Sequence, residues 1–207
     1  MKFKIYQSKI SLHSIAQINS QLDKLAYSST KFVFPGEHVL LREKILQILK
    51  QSVFLQKVIN EESYIVFRLV KPQSTKSSNW YHFDNYINTY VVPIKLPVIR
   101  PKGNLLLWQN ARRPPLNLLS HLLSKILFQN YISYLFVSRF FLHKFEEVEP
   151  REGDILRFDG FTTLHYNQMT STENRIIVIH NAKPFRNSKI IFFIEWLSRF
   201  LAKKIVK

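Results

Sequence analysis

The sequence predicts an α+β, mainly β fold: a barrel-like strand core with helices packed before it, inserted into it and after it. Three observations lead there. Short runs rich in β-branched and aromatic residues recur through the middle of the chain, a segment with apolar residues at helical spacing precedes them, and a long apolar stretch interrupts them. With 207 residues and 46% hydrophobic content, the chain reads as one domain (1–207) with a substantial core, not as a disordered segment.

The elements follow in order. Lys2–Ile10 alternates enough for an edge strand. His38–Asn60 carries Leu41, Ile45, Ile48, Leu49 and Val53 with charges between them, which predicts an amphipathic helix entered through a Pro35-Gly36 turn. Ser63–Val70 predicts a buried strand, and Pro72–Asn79 a polar loop after it. Ile87–Leu96 predicts a second strand, in which Pro93 points to an edge position or a bulge. Leu105–Trp108 is a short strand broken by Arg112-Arg113-Pro114-Pro115, and Leu116–Phe145 predicts one or two inserted helices. Gly153–Phe158 and Arg175–His180 are strands on either side of His165. The tail, Ser188–Lys207, predicts an amphipathic helix whose apolar face fits either its own domain or an anionic lipid surface. The core spans about 63–184 and the insert about 116–145.

Composition narrows the function. The chain has no cysteine, which excludes thiolate zinc sites, disulfide frameworks and cysteine nucleophiles. It has 4 glycines and neither a GxGxxG nor a GxxxxGK[ST] pattern, so the nucleotide-binding folds lose support. No apolar run of signal-peptide length follows the N-terminus, and the uncharged centre of the insert, Ile126–Ser138, is 13 residues, short of the roughly 18–20 that span a bilayer. A cytoplasmic protein is expected, with peripheral contact to anionic membrane as an option. The net charge of +16 fits anionic lipid or anionic metabolites somewhat better than nucleic acid, because the lysines are spread along the chain.

Two stretches carry the chemistry. In Trp80-Tyr81-His82-Phe83-Asp84, the two-residue spacing points the side chains of His82 and Asp84 the same way on extended backbone. A third ligand is available at His165, within Gly-Asp-Ile-Leu-Arg-Phe-Asp-Gly-Phe-Thr-Thr-Leu-His. Two imidazoles and one carboxylate on one face form the ligand set of non-haem Fe(II) oxygenases, which leaves positions open for cosubstrate and O2. Arg175, ten residues past His165, offers a planar fork for a distal carboxylate. His121, His143 and His180 read as structural, and Trp80 and Trp108 as core or pocket lining.

This order of His82, Asp84, His165 and Arg175, with Gly153-Asp154 before the distal histidine, resembles the Fe(II)/2-oxoglutarate-dependent dioxygenases, and the phytanoyl-CoA dioxygenase-like branch in particular. The resemblance covers about Ser63 to Pro184 and includes Gly103-Asn104-Leu105 and Arg175-Ile176-Ile177-Val178. It implies a double-stranded β-helix (jelly-roll, cupin-like) core. It also implies Fe(II) held by His82, Asp84 and His165, 2-oxoglutarate bound by Arg175 with Thr89 and Tyr90 as further candidates, and O2 as the oxidant. Asp84 stands where related halogenases have a small residue, which favours hydroxylation. The nucleic-acid demethylases of the superfamily carry a second arginine six residues past the first, where this chain has Asn181. The expected activity is hydroxylation of a small-molecule, lipid/acyl or surface-sugar substrate. Two other readings stand beside it: a non-catalytic basic module binding nucleic acid or anionic membrane, and a cupin-like metal enzyme that does not use 2-oxoglutarate.

Overall fold

The computed structural model describes residues 3–25, 31–72, 81–115, 117–128 and 130–182. The expected C-terminal helix and Trp80 lie outside the described residues. Nine strands form two antiparallel sheets among those residues. The larger sheet has the order β1 (Lys4–Tyr6), β7 (Ile155–Asp159), β4 (Asn88–Lys95), β9 (Asn174–Asn181), β3 (Tyr64–Val70) and β2 (Lys31–Val33). The smaller has the order β6 (Glu146–Val148), β5 (Leu105–Trp108) and β8 (Leu164–Asn167). His82 bridges to His165 through a reciprocal pair of backbone hydrogen bonds of 3.0 and 3.1 Å, so Tyr81–Phe83 extends the smaller sheet beyond β8.

Three helices cover the outer face of the large sheet: α1 (Leu12–Leu22), α2 (Val39–Leu49) and α3 (Val53–Val58). In α1, the Ser11 hydroxyl caps the first turn by accepting from the Ser14 amide. Its Ile15, Ile18 and Leu22 recur at helical spacing and pack with Ile45 and Leu49 of α2 against Phe67, Leu69, Val92, Ile177 and Ile179. The single helix expected over His38–Asn60 is two, because Ser52 accepts from the Leu55 amide and starts a new helix after the turn at Lys50. Two further helices, α4 (Leu118–Phe128) and α5 (Tyr131–Phe140), form the insert and cover the outer face of the small sheet. There Val137 meets Tyr81, Phe83 and Leu164.

The sheets face one another across a second core. Val91, Leu156, Phe158 and Ile176 of the large sheet meet Leu105, Leu107 and Val148 of the small one. Side chains alternate along each strand, so β9 sends Asn174, Ile176, Val178 and His180 between the sheets and Arg175, Ile177 and Ile179 toward the helices. On β3 the inter-sheet row is Tyr64, Val66, Arg68 and Val70, each directly opposite a member of the β9 row. Pro93 sits in a central strand, where the register shift between Pro93 and Lys95 accommodates its missing donor.

Candidate metal centre

The bridge between His82 and His165 turns both imidazoles into the space between the sheets, with ring centroids 4.2 Å apart. Asp84 follows on a backbone fixed by its own amide, which donates to the Gly160 carbonyl at 2.8 Å. His82, Asp84 and His165 thus each present a ligand atom, and all three atoms lie within 4.8 Å of one another. Among the described residues this is the one group of His, Asp, Glu or Cys with such geometry.

Neighbouring side chains set the chemistry of the three. His165 Nδ1 lies 3.1 Å from the Thr163 carbonyl oxygen, a contact that assigns the ring proton to Nδ1. Its Nε2 faces Asp84 Oδ2 at 3.6 Å. The Thr89 hydroxyl donates to Asp84 Oδ2 at 2.5 Å and lies 3.2 Å from His180 Nδ1. Burial works against ionisation of Asp84. His165, His180 and His82, together with the Thr89 hydrogen bond, more than reverse that and hold the carboxyl well below the usual carboxylate range. Phe158 meets the His165 ring edge to face at 4.8 Å, which restrains the imidazole from the large sheet.

Gly160 makes this packing possible. A Cβ at that position would stand 2.3 Å from Thr89 Oγ1, 2.6 Å from Asp84 Oδ2 and 2.8 Å from Asp84 Cβ. Beyond Asp84, the insert grips the turn that follows: His121 Nε2 lies 2.9 Å from Asn85 Oδ1, and Lys125 donates to the same oxygen at 2.9 Å. On its other side, His121 Nδ1 is 2.7 Å from Arg112, whose guanidinium lies 3.9 Å above the Phe83 ring. Burial and the charges of Lys125 and Arg112 push the His121 pKa down to about 3, so this imidazole is a neutral structural link.

The structure brings together His82, Asp84, His165 and Thr89. It does not bring Tyr90 or Arg175, expected to bind the cosubstrate, to them. Tyr90 points to the helix side of β4, packed near Phe54 and beneath Arg157. Arg175 points to the helix side of β9. Its guanidinium donates to Asp23 at 2.6 Å, to Glu173 at 2.6 Å and to the Asn19 carbonyl at 3.0 Å, with its side chain 4% exposed. Both residues lie one position away from the row that faces the metal group. Trp108 stacks on Phe141 on the outer face of the small sheet and lines no part of the site. Sequence reasoning missed Gly160 and the part of His180 beside Asp84. The signal for Gly160 was on the page, as a glycine in Asp-Gly-Phe closing a strand.

No family model and no curated protein matches the chain in sequence. Solved structures do match it in fold. HygX from Streptomyces hygroscopicus with nickel and 2-oxoglutarate bound has a TM-score of 0.57 at 12% identity, over 88% of this chain and 83% of that one. The same protein with iron bound gives 0.58 at 12% identity, over 88% and 82%. A prolyl hydroxylase from Trichoplax adhaerens, in complex with a peptide fragment of the hypoxia inducible factor oxygen degradation domain, gives 0.57 at 11% identity, over 87% and 83%. At these identities the likeness is one of fold.

Proposed function

We propose that the protein is an Fe(II)- and 2-oxoglutarate-dependent oxygenase, a hydroxylase acting on a small molecule or on an acyl or sugar group. One observation carries the reading: two imidazoles and a carboxylate present ligand atoms within 4.8 Å of one another in the space between two antiparallel sheets. Topology supports it. With Tyr81–Phe83 beside β8, each sheet alternates strands from the two ends of the core, as a double-stranded β-helix does.

The residues fit ferrous iron. His165 turns Nε2 toward Asp84, the Thr89 hydroxyl donates to the Asp84 carboxylate, and the chain contains no thiolate to be oxidised beside the metal. His82, Asp84 and His165 would hold the ion. Iron bound there would supply the chemistry, coupling decarboxylation of 2-oxoglutarate to succinate and CO2 with transfer of one oxygen atom of O2 to succinate and the other to a substrate C–H bond. The protein's own part is positional. Thr89 orients the Asp84 carboxylate, the Thr163 carbonyl sets the His165 tautomer, and Phe158 restrains its ring.

The metal and 2-oxoglutarate in HygX support the same pairing here. The neighbours do not select a substrate, since one is solved with hygromycin B and the other with a peptide. Asn181, standing where the nucleic-acid demethylases carry a second arginine, supports a substrate other than nucleic acid. Anaerobic titration with Fe(II) and 2-oxoglutarate tests the proposal. The wild type is expected to develop the weak visible charge-transfer absorption of a chelated keto acid, and His82→Ala to lack it. A wild type that binds iron without that absorption refutes the cosubstrate, and one that binds no iron refutes the metal.

A further inference from the structure

With Arg175 committed to the helix side of β9, the distal carboxylate of a keto diacid needs another cation. The inter-sheet row of β9 offers Asn174, Ile176, Val178 and His180, none of them an arginine or lysine. On β3, directly opposite Ile176, the same row carries Arg68. It is 8% exposed, its Nε is buried with no hydrogen-bond partner, and no ion pair reaches it among the described residues. The neighbours on its row are Val66 and Val70, and across from it lies Ile176, with Val178 and Asn174 diagonal to it. Of these only Asn174 carries an acceptor, and its Oδ1 is buried without a partner.

An arginine in such surroundings is unusual. Burial lowers its pKa only to about 10, so it keeps its charge near neutrality while lacking the partner that buried charges ordinarily have. The contrast within the protein is sharp: the buried Arg42 donates to the Val33 and Ile65 carbonyls, and Arg175 to two carboxylates and a carbonyl. Arg68 alone of these three points at the space shared with the metal group. The distance suits a bridging ligand. Tyr64, four residues before Arg68 on the same row, pairs with His180, and His180 lies 3.8 Å from Asp84 Oδ2. Four strand residues cover ~13 Å, an offset that an arginine side chain and a keto diacid of glutarate length span together.

We propose that Arg68, and not Arg175, receives the distal carboxylate of the keto-acid cosubstrate, which then bridges the space between the sheets from the His82–Asp84–His165 group to β3. This rests on the cosubstrate reading above. The planar fork matches a carboxylate with two parallel hydrogen bonds, and apolar walls strengthen the pairing. Arg68 is therefore a specificity residue: it selects a diacid over a keto acid with no second carboxylate.

Two measurements test this on the full chain. The first is anaerobic Fe(II) titration with 2-oxoglutarate or with 2-oxobutanoate, which chelates through the same keto-acid end but has no distal carboxylate. The wild type is expected to prefer 2-oxoglutarate, and Arg68→Met to lose roughly 30- to 100-fold in affinity for it. Binding of 2-oxobutanoate by that variant should change little, and Arg68→Lys should recover part of the preference. The second is thermal unfolding of the metal-free protein, where Arg68→Met should melt at or above the wild type because it removes an uncompensated charge. Undiminished preference for 2-oxoglutarate in Arg68→Met would overturn the assignment while leaving the cosubstrate reading intact. So would a lower melting temperature with equal losses for both keto acids, which would mark Arg68 as a structural residue. A wild type that chelates neither keto acid removes the cosubstrate reading and this assignment with it.

Discussion

Replacing Gly160 with alanine adds one methyl group to the most crowded point behind the metal group, and its effect can be worked out from distances. The new Cβ would stand 2.3 Å from Thr89 Oγ1 and 2.6 and 2.8 Å from two atoms of Asp84. Each lies roughly 1 Å inside the ~3.5 Å at which such atoms normally rest. The Thr89 hydroxyl can rotate away, but only by giving up its hydrogen bond to the carboxylate. Asp84 Cβ cannot, because the Asp84 amide is tied to the carbonyl of residue 160 itself. The carboxylate must therefore move by about the overlap.

Overpacking of this kind costs ~1–3 kcal/mol. Against it stands a gain of ~0.4–1 kcal/mol from the stiffer unfolded chain, since the backbone at residue 160 is not in the left-handed region. We expect metal affinity to fall about 10- to 100-fold, the range for losing the support of a ligand, and the melting temperature to drop by roughly 2–8 °C. Titration with Fe(II) or a non-oxidisable divalent ion, alongside thermal circular dichroism, measures both. A Gly160→Ala protein with wild-type metal affinity would refute the placement of Asp84 against this strand end.

Two further outcomes are expected. Arg175→Met should destabilise the protein by ~1–3 kcal/mol in urea unfolding, through the loss of charged hydrogen bonds to Asp23, Glu173 and Asn19. Its Fe(II) affinity should stay at the wild-type value, and a selective loss of metal or keto-acid binding would restore Arg175 to the site. For His121, the folded pKa of about 3 lies below the unfolded value near 6.5, so the unfolded state binds the extra proton between those limits. Stability is then fully present above pH 6.5 and falls as pH drops toward 3, by at most ~1.4 kcal/mol per unit. In His121→Gln, urea unfolding of the metal-free protein over that window should lack this slope, and an unchanged slope would contradict the neutral buried imidazole.

What the sequence disclosed and what it hid have one cause. The spacing of His82 and Asp84 and the position of His165 are local or motif-like, and extended backbone alone puts the first two on one side. Which face of β9 carries Arg175 is different. The run Asn174-Arg175-Ile176-Ile177-Val178-Ile179 is buried on both sides, between a helical layer and a second sheet, so no polar alternation marks in from out. Counting ten residues from His165 cannot resolve a question of parity, because one position exchanges the faces. Arg68 did leave a trace, as the single charge in Tyr-Ile-Val-Phe-Arg-Leu-Val. The division of His38–Asn60 was also written in the chain, at Ser52, a residue whose hydroxyl caps helices readily. The short strands β2, β6 and β8 left no such signal, since Lys-Phe-Val, Glu-Glu-Val and Leu-His-Tyr-Asn lack the apolar run that marks Leu105–Trp108.

The backbone pair between His82 and His165 has a consequence for how the protein assembles. It joins two segments far apart in the chain, and the ligands meet only when the strand holding residue 165 has docked beside residue 82. Contacts of such long range carry a large loop-closure cost and form slowly. A metal ion bound by these ligands stabilises the assembled state and not the chain that precedes it. If the ligands gather after the rate-limiting step, metal slows unfolding and leaves refolding nearly as fast as before. The ion would then act as a latch, setting how long the assembled protein lasts more than how quickly it forms.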